Sequence, residues 1–175
     1  MRSILWYMIL KHNTSQINFT IRRAAINDID QIRRLFYDTV TTVNRQDYNA
    51  EQIEAWASGR DNIERWHNRV NQQFLYLVNV GNALAGFASL TPSGYIDVMF
   101  VSINHQRLGV AKYLMAAIES KAGELGLKKI ISDVSITARP FFEKQGFVVT
   151  AEQAVEVKGV VLTNFKMEKA LGICS

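Results

Sequence analysis

The chain has 175 residues, 48% hydrophobic and 21% charged, with a formal net charge of +4, the profile of one ordinary globular domain. No apolar run nears the roughly 20 residues of a membrane-spanning helix, and the basic residues form no aromatic-interleaved tract of the kind that grips nucleic acid. Three scattered histidines lack metal-ligand spacing, and the single cysteine, Cys174, has no partner for an intramolecular disulfide, which fits a reducing, cytoplasmic setting.

Residues 1–18 read as an N-terminal extension. Their apolar run, Ile4 to Leu10, has only Arg2 before it and meets Lys11 without a small-residue cleavage site, so it does not read as a signal peptide. Phe19 to Arg23 predicts a first strand. Asn27 is placed to cap the helix that follows, with Asp28 and Asp30 in its first turn and Ile29, Ile32, Phe36 and Val43 on one face. Asn49 with Gln52 predicts a capping box for a second helix carrying Ile53 and Trp56 and ending at Gly59. Asp61 with Glu64 opens a third, bearing Ile63, Trp66 and Val70. Phe74 to Val80, Ala83 to Leu90 and Tyr95 to Val101 then read as a meander of three strands, turning at Gly81-Asn82 and Pro92-Ser93-Gly94. The longest helix runs from Val110 to Leu125, with Val110, Leu114, Ile118 and Leu125 on one face. Lys129 to Val134 reads as a buried strand. Thr137 is placed to cap a short helix with Pro140 in its first turn and Gly146 at its end. Phe147 to Val157 and Val160 to Glu168 form a hairpin around Lys158-Gly159. This order argues for one α/β domain with a mixed sheet.

The segment Gln106-Arg107-Leu108-Gly109-Val110-Ala111 joins the third strand of the meander to the longest helix. A strand turning through small residues into a helix leaves backbone N–H groups without partners at the positive end of the helix dipole, which suits phosphate. Gly109 lets the chain approach an anion closely, Ala111 has almost no side chain in the way, and Arg107 and Lys112 add charge. No Lys-Ser/Thr follows the glycine, and no three-glycine fingerprint is present, so this is neither a P-loop nor a dinucleotide-binding turn.

With this order of elements, the loop resembles the GNAT superfamily of acyl-CoA-dependent N-acetyltransferases. The hallmark of that family, Gln/Arg-x-x-Gly-x-Gly/Ala between the fourth strand and third helix, is matched by Gln106, Gly109 and Ala111. Residues Ala138 to Phe147 resemble a second signature, in which a tyrosine stands four residues before Gly-Phe; here Phe142 holds that place and Gly146-Phe147 follow. Ser135-Ile136-Thr137-Ala138 and Thr163-Asn164-Phe165-Lys166-Met167 resemble the bacterial YafP-like branch. The likeness covers residues 19–169, with 170–175 as a C-terminal tail. It implies a single domain whose mostly antiparallel sheet is splayed between its fourth and fifth strands at a bulge near Phe100 and Val101. It implies acetyl-CoA as co-substrate, with no metal. The pyrophosphate would lie on the amides of Arg107, Leu108, Gly109, Val110, Ala111 and Lys112, next to Gln106. The pantetheine arm would bond backbone groups of Met99 and Val101, with Ser135 in place of a common asparagine. It also leaves a homodimer open.

Acetyl transfer needs a neutral amine, a donor for the developing oxyanion and a leaving thiolate. An alkyl ammonium has a pKa of about 10.4, so a base or a water chain to one helps. By resemblance the Met99 N–H is the oxyanion donor. Tyr95, Asp97 and Met99 are expected to alternate on one face of the fourth strand. Asp97 is a candidate base or amine anchor, level with the reading of a carboxylate paired to a nearby cation. Tyr95 is a candidate base, a hydrogen-bonding wall or strand packing. Phe142 cannot protonate a thiolate, so no general acid is assigned. Tyr48, Trp56, Trp66 and His67 fall where the acceptor pocket is expected; an aromatic cage is one reading, with Trp56 and Trp66 as core and His67 facing solvent as the other. His105 is expected at the surface, with contact to the cofactor as the alternative, and Arg139 either at the adenosine phosphates or in solvent. The expected function is transfer of acetyl to an unidentified amine of a small molecule or lysine side chain. The alternative is a non-catalytic CoA-binding sensor or interaction domain.

Overall fold

The computed structural model describes residues 18–172; the N-terminal extension up to residue 17 and Cys174 lie outside the described residues. Strand β1 (Phe19–Arg23) leads through a 3-10 turn to helices α1 (Ile29–Thr42), α2 (Ala50–Ala57) and α3 (Ile63–Gln72). The meander β2 (Phe74–Val80), β3 (Ala83–Leu90) and β4 (Tyr95–Val101) follows, then α4 (Val110–Glu124), β5 (Lys129–Ser135), α5 (Arg139–Lys144) and the hairpin β6 (Val148–Val157) and β7 (Val160–Ala170).

The strands form one seven-stranded sheet in the order β1-β2-β3-β4-β5-β7-β6. Every neighbouring pair is antiparallel except β4 and β5. A parallel pair requires a crossover, and α4 supplies it. Each face of the sheet carries its own core. On one, Val110, Leu114, Met115 and Ile118 of α4 pack with Ala88, Ile96, Ile130 and Phe142. On the other, Ile32, Phe36 and Val40 of α1 and Trp66 of α3 pack with Leu75, Leu77, Phe87 and Val98. The helical spacing of Ile32, Phe36 and Trp66 therefore reports core packing, and Trp66 is buried with its ring edge-on to Phe36.

Several caps differ from the expected ones. Asn27 lies inside the 3-10 turn. Asp28 organises the entry to α1 instead, accepting the Ala25 N–H at 2.8 Å and the two terminal nitrogens of Arg22 at 2.7 Å each. Asn62, not Asp61, caps α3, its side chain accepting the Arg65 N–H at 2.9 Å. Ser135, not Thr137, holds the turn into α5 by accepting the Ala138 N–H at 3.1 Å, while Thr137 accepts from Asn44. The Asn49–Gln52 capping box is present as expected. Leu125 stands just past the end of α4 and is exposed, off the apolar face.

β4 and β5 are paired only at Tyr95 with Ile131 and Ile96 with Ser132. Beyond that couple the two strands part. The buried Ser132 hydroxyl donates to the Ile96 carbonyl at 2.9 Å and pins the apex of the V.

Candidate active site

The bulge that accompanies this parting lies earlier than expected. The β3–β4 ladder matches Ser89 to Val98 and Leu90 to Ile96, so Asp97, not Phe100 or Val101, is the extra residue. An extra residue reverses the facing of everything after it. Ile96 packs on the α4 side, Val98 and Phe100 on the α1–α3 side, and Met99 and Val101 on the α4 side again. Asp97 points to α3, where it meets Arg69. Tyr95, Asp97 and Met99 therefore do not share a face: strict alternation fails at the bulge.

The same reversal sets the backbone. The Ser102 N–H donates to Ala85 at 2.9 Å. Antiparallel pairs alternate in facing, so Phe100 and Val98 turn their amides toward β3, while Met99 and Val101 turn theirs toward the opening beside β5. The Val101 carbonyl on that side takes the Thr39 hydroxyl at 3.4 Å.

The loop after β4 winds through two left-handed residues, Arg107 at φ 59° and Gly109 at φ 96°, into α4. Among the described residues, the amides of residues 106–112 have no protein acceptor; the first to find one is Tyr113, on the Gly109 carbonyl at 3.0 Å. Gln106, Arg107, Leu108, Gly109 and Lys112 are exposed, whereas Val110 is buried and anchors the turn. Gly86 on β3 sets how close that anchor comes. A Cβ there would stand 2.8 Å from the Phe100 carbonyl oxygen and 2.9 Å from Val110 Cγ1. Only glycine lets the positive end of α4 lie so near β4, and nothing in the linear pattern marked Gly86 for that role.

Loop and opening share one groove of about 900 Å³ with the region around Asp97, Tyr95 and Asp133. Asp97 is held by Arg69 (Nε to Oδ2 2.7 Å, Nη2 to Oδ1 3.4 Å) and by Gln73 (Nε2 to Oδ2 3.0 Å). Burial pushes its carboxyl upward, but the hydrogen bonds and charge of Arg69, helped by Gln73 and Arg65, outweigh this and hold it below the ordinary range. These contacts favour the ionised carboxylate. Arg69 is itself buried, its guanidinium 4.4 Å from the Trp66 ring centroid. The Tyr95 hydroxyl donates to Asp133 at 3.1 Å. Burial first, then the Asp133 charge and hydrogen bond, push the Tyr95 phenol far upward, so it stays protonated.

The remaining candidates divide. Ser135 lines the groove, with its oxygen already accepting from Ala138. Tyr48 is buried; its hydroxyl donates to the Thr163 carbonyl at 2.7 Å and accepts the Ile136 N–H at 3.0 Å, so it ties β5 to β7 and belongs to no cage. Phe142 is buried against Phe147, with centroids 4.9 Å apart. His105 is half-buried beside the loop, with its Nδ1 enclosed and unpartnered, so it is not a plain surface histidine. Arg139 pairs with Glu143 at 2.7 Å and stacks on Phe165. No motif or spacing in the sequence points to Gly86, Ser132, Arg69 or Asp133. Among the described residues, no group of three or more His, Cys, Asp or Glu side chains is placed to hold a metal. No helix among them is long and apolar enough to cross a membrane.

A V-shaped opening between strands four and five, with an amide-rich helix start beyond its parted end, is the frame of an acyltransferase. The sequence matches the acetyltransferase (GNAT) domain over residues 44–169, and the chain belongs to this family of acyl-CoA-dependent N-acetyltransferases. It is 34% identical to the uncharacterized N-acetyltransferase YafP of Escherichia coli (strain K12) over 150 residues, 86% of this chain and 95% of that protein, in line with the likeness its motifs carry. Among solved structures, a GCN5-related N-acetyltransferase from Rhodopseudomonas palustris superposes with a TM-score of 0.84 at 30% identity, covering 87% of this chain and 95% of that one. The PaiA N-acetyltransferase of Thermoplasma acidophilum, in complex with coenzyme A, shares the fold at a TM-score of 0.72 and 18% identity, over 87% of this chain and 99% of that one.

Proposed function

We propose that acetyl-CoA is the co-substrate and that its acetyl group passes to an amine of a small molecule or lysine side chain by direct attack on the thioester. The observation that carries this reading is the run of amides from 106 to 112 without a protein acceptor, at the positive end of α4 and on the same groove as the unpaired edge of β4. Such amides fit a diphosphate, and Arg107 and Lys112 add charge from the rim. The outward-turned backbone groups of Met99 and Val101 fit the amides of the pantetheine arm, as a missing strand would, beside Phe100 and Ser135. In transfer, a nitrogen–carbon bond forms as the carbon–sulfur bond breaks, and the nitrogen loses its proton to solvent at the groove mouth.

Each residue then has a task. The Met99 N–H faces the opening and is the donor for charge developing on the thioester oxygen. Asp97 acts through the backbone: clamped by Arg69, it holds the bulge that turns Met99 toward the groove, and its depressed pKa argues against a base role. Tyr95, kept protonated, is a wall and hydrogen-bond donor. With phenylalanine at 142, the sulfur leaves as thiolate, feasible for a thiol of pKa about 8.5. We place this reaction in the cytoplasm; fractionation tests the location, and sedimentation tests whether the enzyme works as a homodimer.

Calorimetry with acetyl-CoA, followed by thiol release over a panel of amines, tests the whole. Binding plus amine-dependent release is expected. Tight binding without release for any amine would favour the sensor, and no binding would remove both readings.

A further inference from the structure

At the closed end of the V, the first residues beyond the last paired couple are Asp97 on β4 and Asp133 on β5. Both line the groove, but their charges are balanced differently. Asp97 is shared by Arg69 and Gln73 and is half-buried beside them. Asp133 is exposed and accepts only from neutral groups, the Tyr95 hydroxyl at 3.1 Å and the Gln153 amide at 2.8 Å. Among the described residues, no lysine or arginine stands within ion-pair distance of it. Its cross-strand neighbour Lys166 is no exception. Asp133 therefore carries a negative charge that the protein does not answer.

Arg65 carries the opposite surplus. Its side chain is 59% exposed, and its nearest carboxylate oxygen, Asp97 Oδ1, is 3.6 Å away and already within 3.4 Å of Arg69. Two guanidinium groups thus share one carboxylate on this wall. Tyr95 and Asp97 are two residues apart on β4. Each lies one contact from Asp133 or Arg65, so the unanswered anion and the spare cation line the same groove at a separation on the order of 10 Å.

Resting on the acetyl-transfer reading above, we propose that the acceptor is a primary amine that itself bears a carboxylate, an amino acid or small amino-carboxylate, with its ammonium end at Asp133 and its carboxylate on Arg65. An arginine fork matches a carboxylate in two parallel hydrogen bonds. A polycation gains at Asp133 but meets Arg65 and Arg69, a like-charge pair that disfavours it. The ammonium drawn to Asp133 sits at the apex of the V, beside the bulge below Met99, where the neutral form attacks after its proton leaves to water.

The test pairs free L-amino acids with their primary amides and reads acetyl-CoA-dependent thiol release for each pair. The amide has the less basic amine and is more often neutral, so chemistry alone favours the amide. The expected result is the reverse, with kcat/KM about tenfold higher for the carboxylate, the size of one charge-assisted contact. Arg65→Met, a change at an exposed side chain, should bring that ratio toward one. Asp133→Asn should lower kcat/KM for both members of a pair, and calorimetry should find acetyl-CoA affinity kept in both variants. Equal or better turnover of the amides overturns the proposal. So does turnover of a carboxylate-free diamine with none for any amino acid, or failure of every carboxylate-bearing amine. If acetyl-CoA itself does not bind, the acetyl-transfer reading has failed instead.

Discussion

Asp97→Asn separates a clamp from a base. The substitution keeps the shape of the side chain, removes its charge and replaces one acceptor oxygen with an NH₂ group. That NH₂ would face donors at 2.7 to 3.4 Å: Arg69, which has no acceptor, and Gln73, whose amide would have to turn to offer its oxygen. Arg69 would be left buried, 6% exposed in its side chain, with no full counter-charge. Breaking a buried pair from one side costs about 3 kcal/mol or more, which lowers the melting temperature by on the order of 10 °C in a chain of this size. The bulge loosens, the Met99 amide loses its aim, and kcat falls about a hundredfold, the cost of a misplacement near 1 Å. Acetyl-CoA affinity, assigned by the proposed cradle to residues 106–112, should be kept. A catalytic base would give the first result too, so Arg69→Met decides. Without Arg69, burial pushes the Asp97 carboxyl up, which would improve a base and preserve turnover. On the clamp reading, Arg69→Met falls as far as Asp97→Asn, and Arg69→Met/Asp97→Leu is no worse than either single change. Full turnover in a folded Arg69→Met enzyme refutes the clamp.

Gly109→Asp should abolish acetyl-CoA binding in calorimetry, because a carboxylate would meet the diphosphate and the residue would keep a φ of 96° that costs a side chain about 1–2 kcal/mol; wild-type affinity in a folded variant removes the cradle. Gly86→Ala should lose stability, by about 1–3 kcal/mol from overpacking, together with acetyl-CoA affinity, because its Cβ meets the Phe100 oxygen at 2.8 Å and pushes the start of α4 outward; unchanged affinity would detach Gly86 from the site. The Arg22 hydrogen bonds, joined by the Ala25 amide, lower the Asp28 carboxyl to about 2 from an ordinary 3.8. A depressed carboxyl stabilises above its unfolded pKa and loses that contribution as pH falls through the folded one. Wild type should therefore exceed Asp28→Asn by about 1–2 kcal/mol at neutral pH in urea denaturation, discounted because Arg22 is half exposed, and the gap should close between about pH 4 and pH 2.

The half of the candidate site proposed to hold the diphosphate was legible because it is contiguous. Gln106, Gly109 and Ala111 stand within one turn, and a strand before and a helix after them dictate how their amides must point. The meander and the hairpin were legible for the same reason, since turns such as Gly81-Asn82 and Lys158-Gly159 mark their own strands. The caps were off by one or two residues because several polar side chains near each helix start compete for the same amides. Asp28 won over Asn27 through Arg22, and Asn62 over Asp61. The bulge was misplaced for a deeper reason. A strand pattern has period two, and one inserted residue is invisible until the neighbouring strand supplies the register that breaks.

The acceptor half lay outside that kind of reading altogether. Arg65 and Arg69 come from α3, Asp97 from β4, Asp133 from β5 and Gln153 from β6, and no spacing in the chain relates them. Their arrangement follows from the same inserted residue that sets the chemistry. By turning Asp97 toward α3, the bulge engages Arg69 and leaves Arg65 with charge to spare. By turning Met99 the other way, it presents an amide to the opening. Donor geometry and acceptor recognition are thus two consequences of one register shift. Deletion of Asp97 leaves Ile96, Val98 and Met99 alternating on the faces they already hold, so it tests the clamp and not the facing: kcat should fall as far as in Asp97→Asn, while calorimetry should find acetyl-CoA still bound by the proposed cradle on α4.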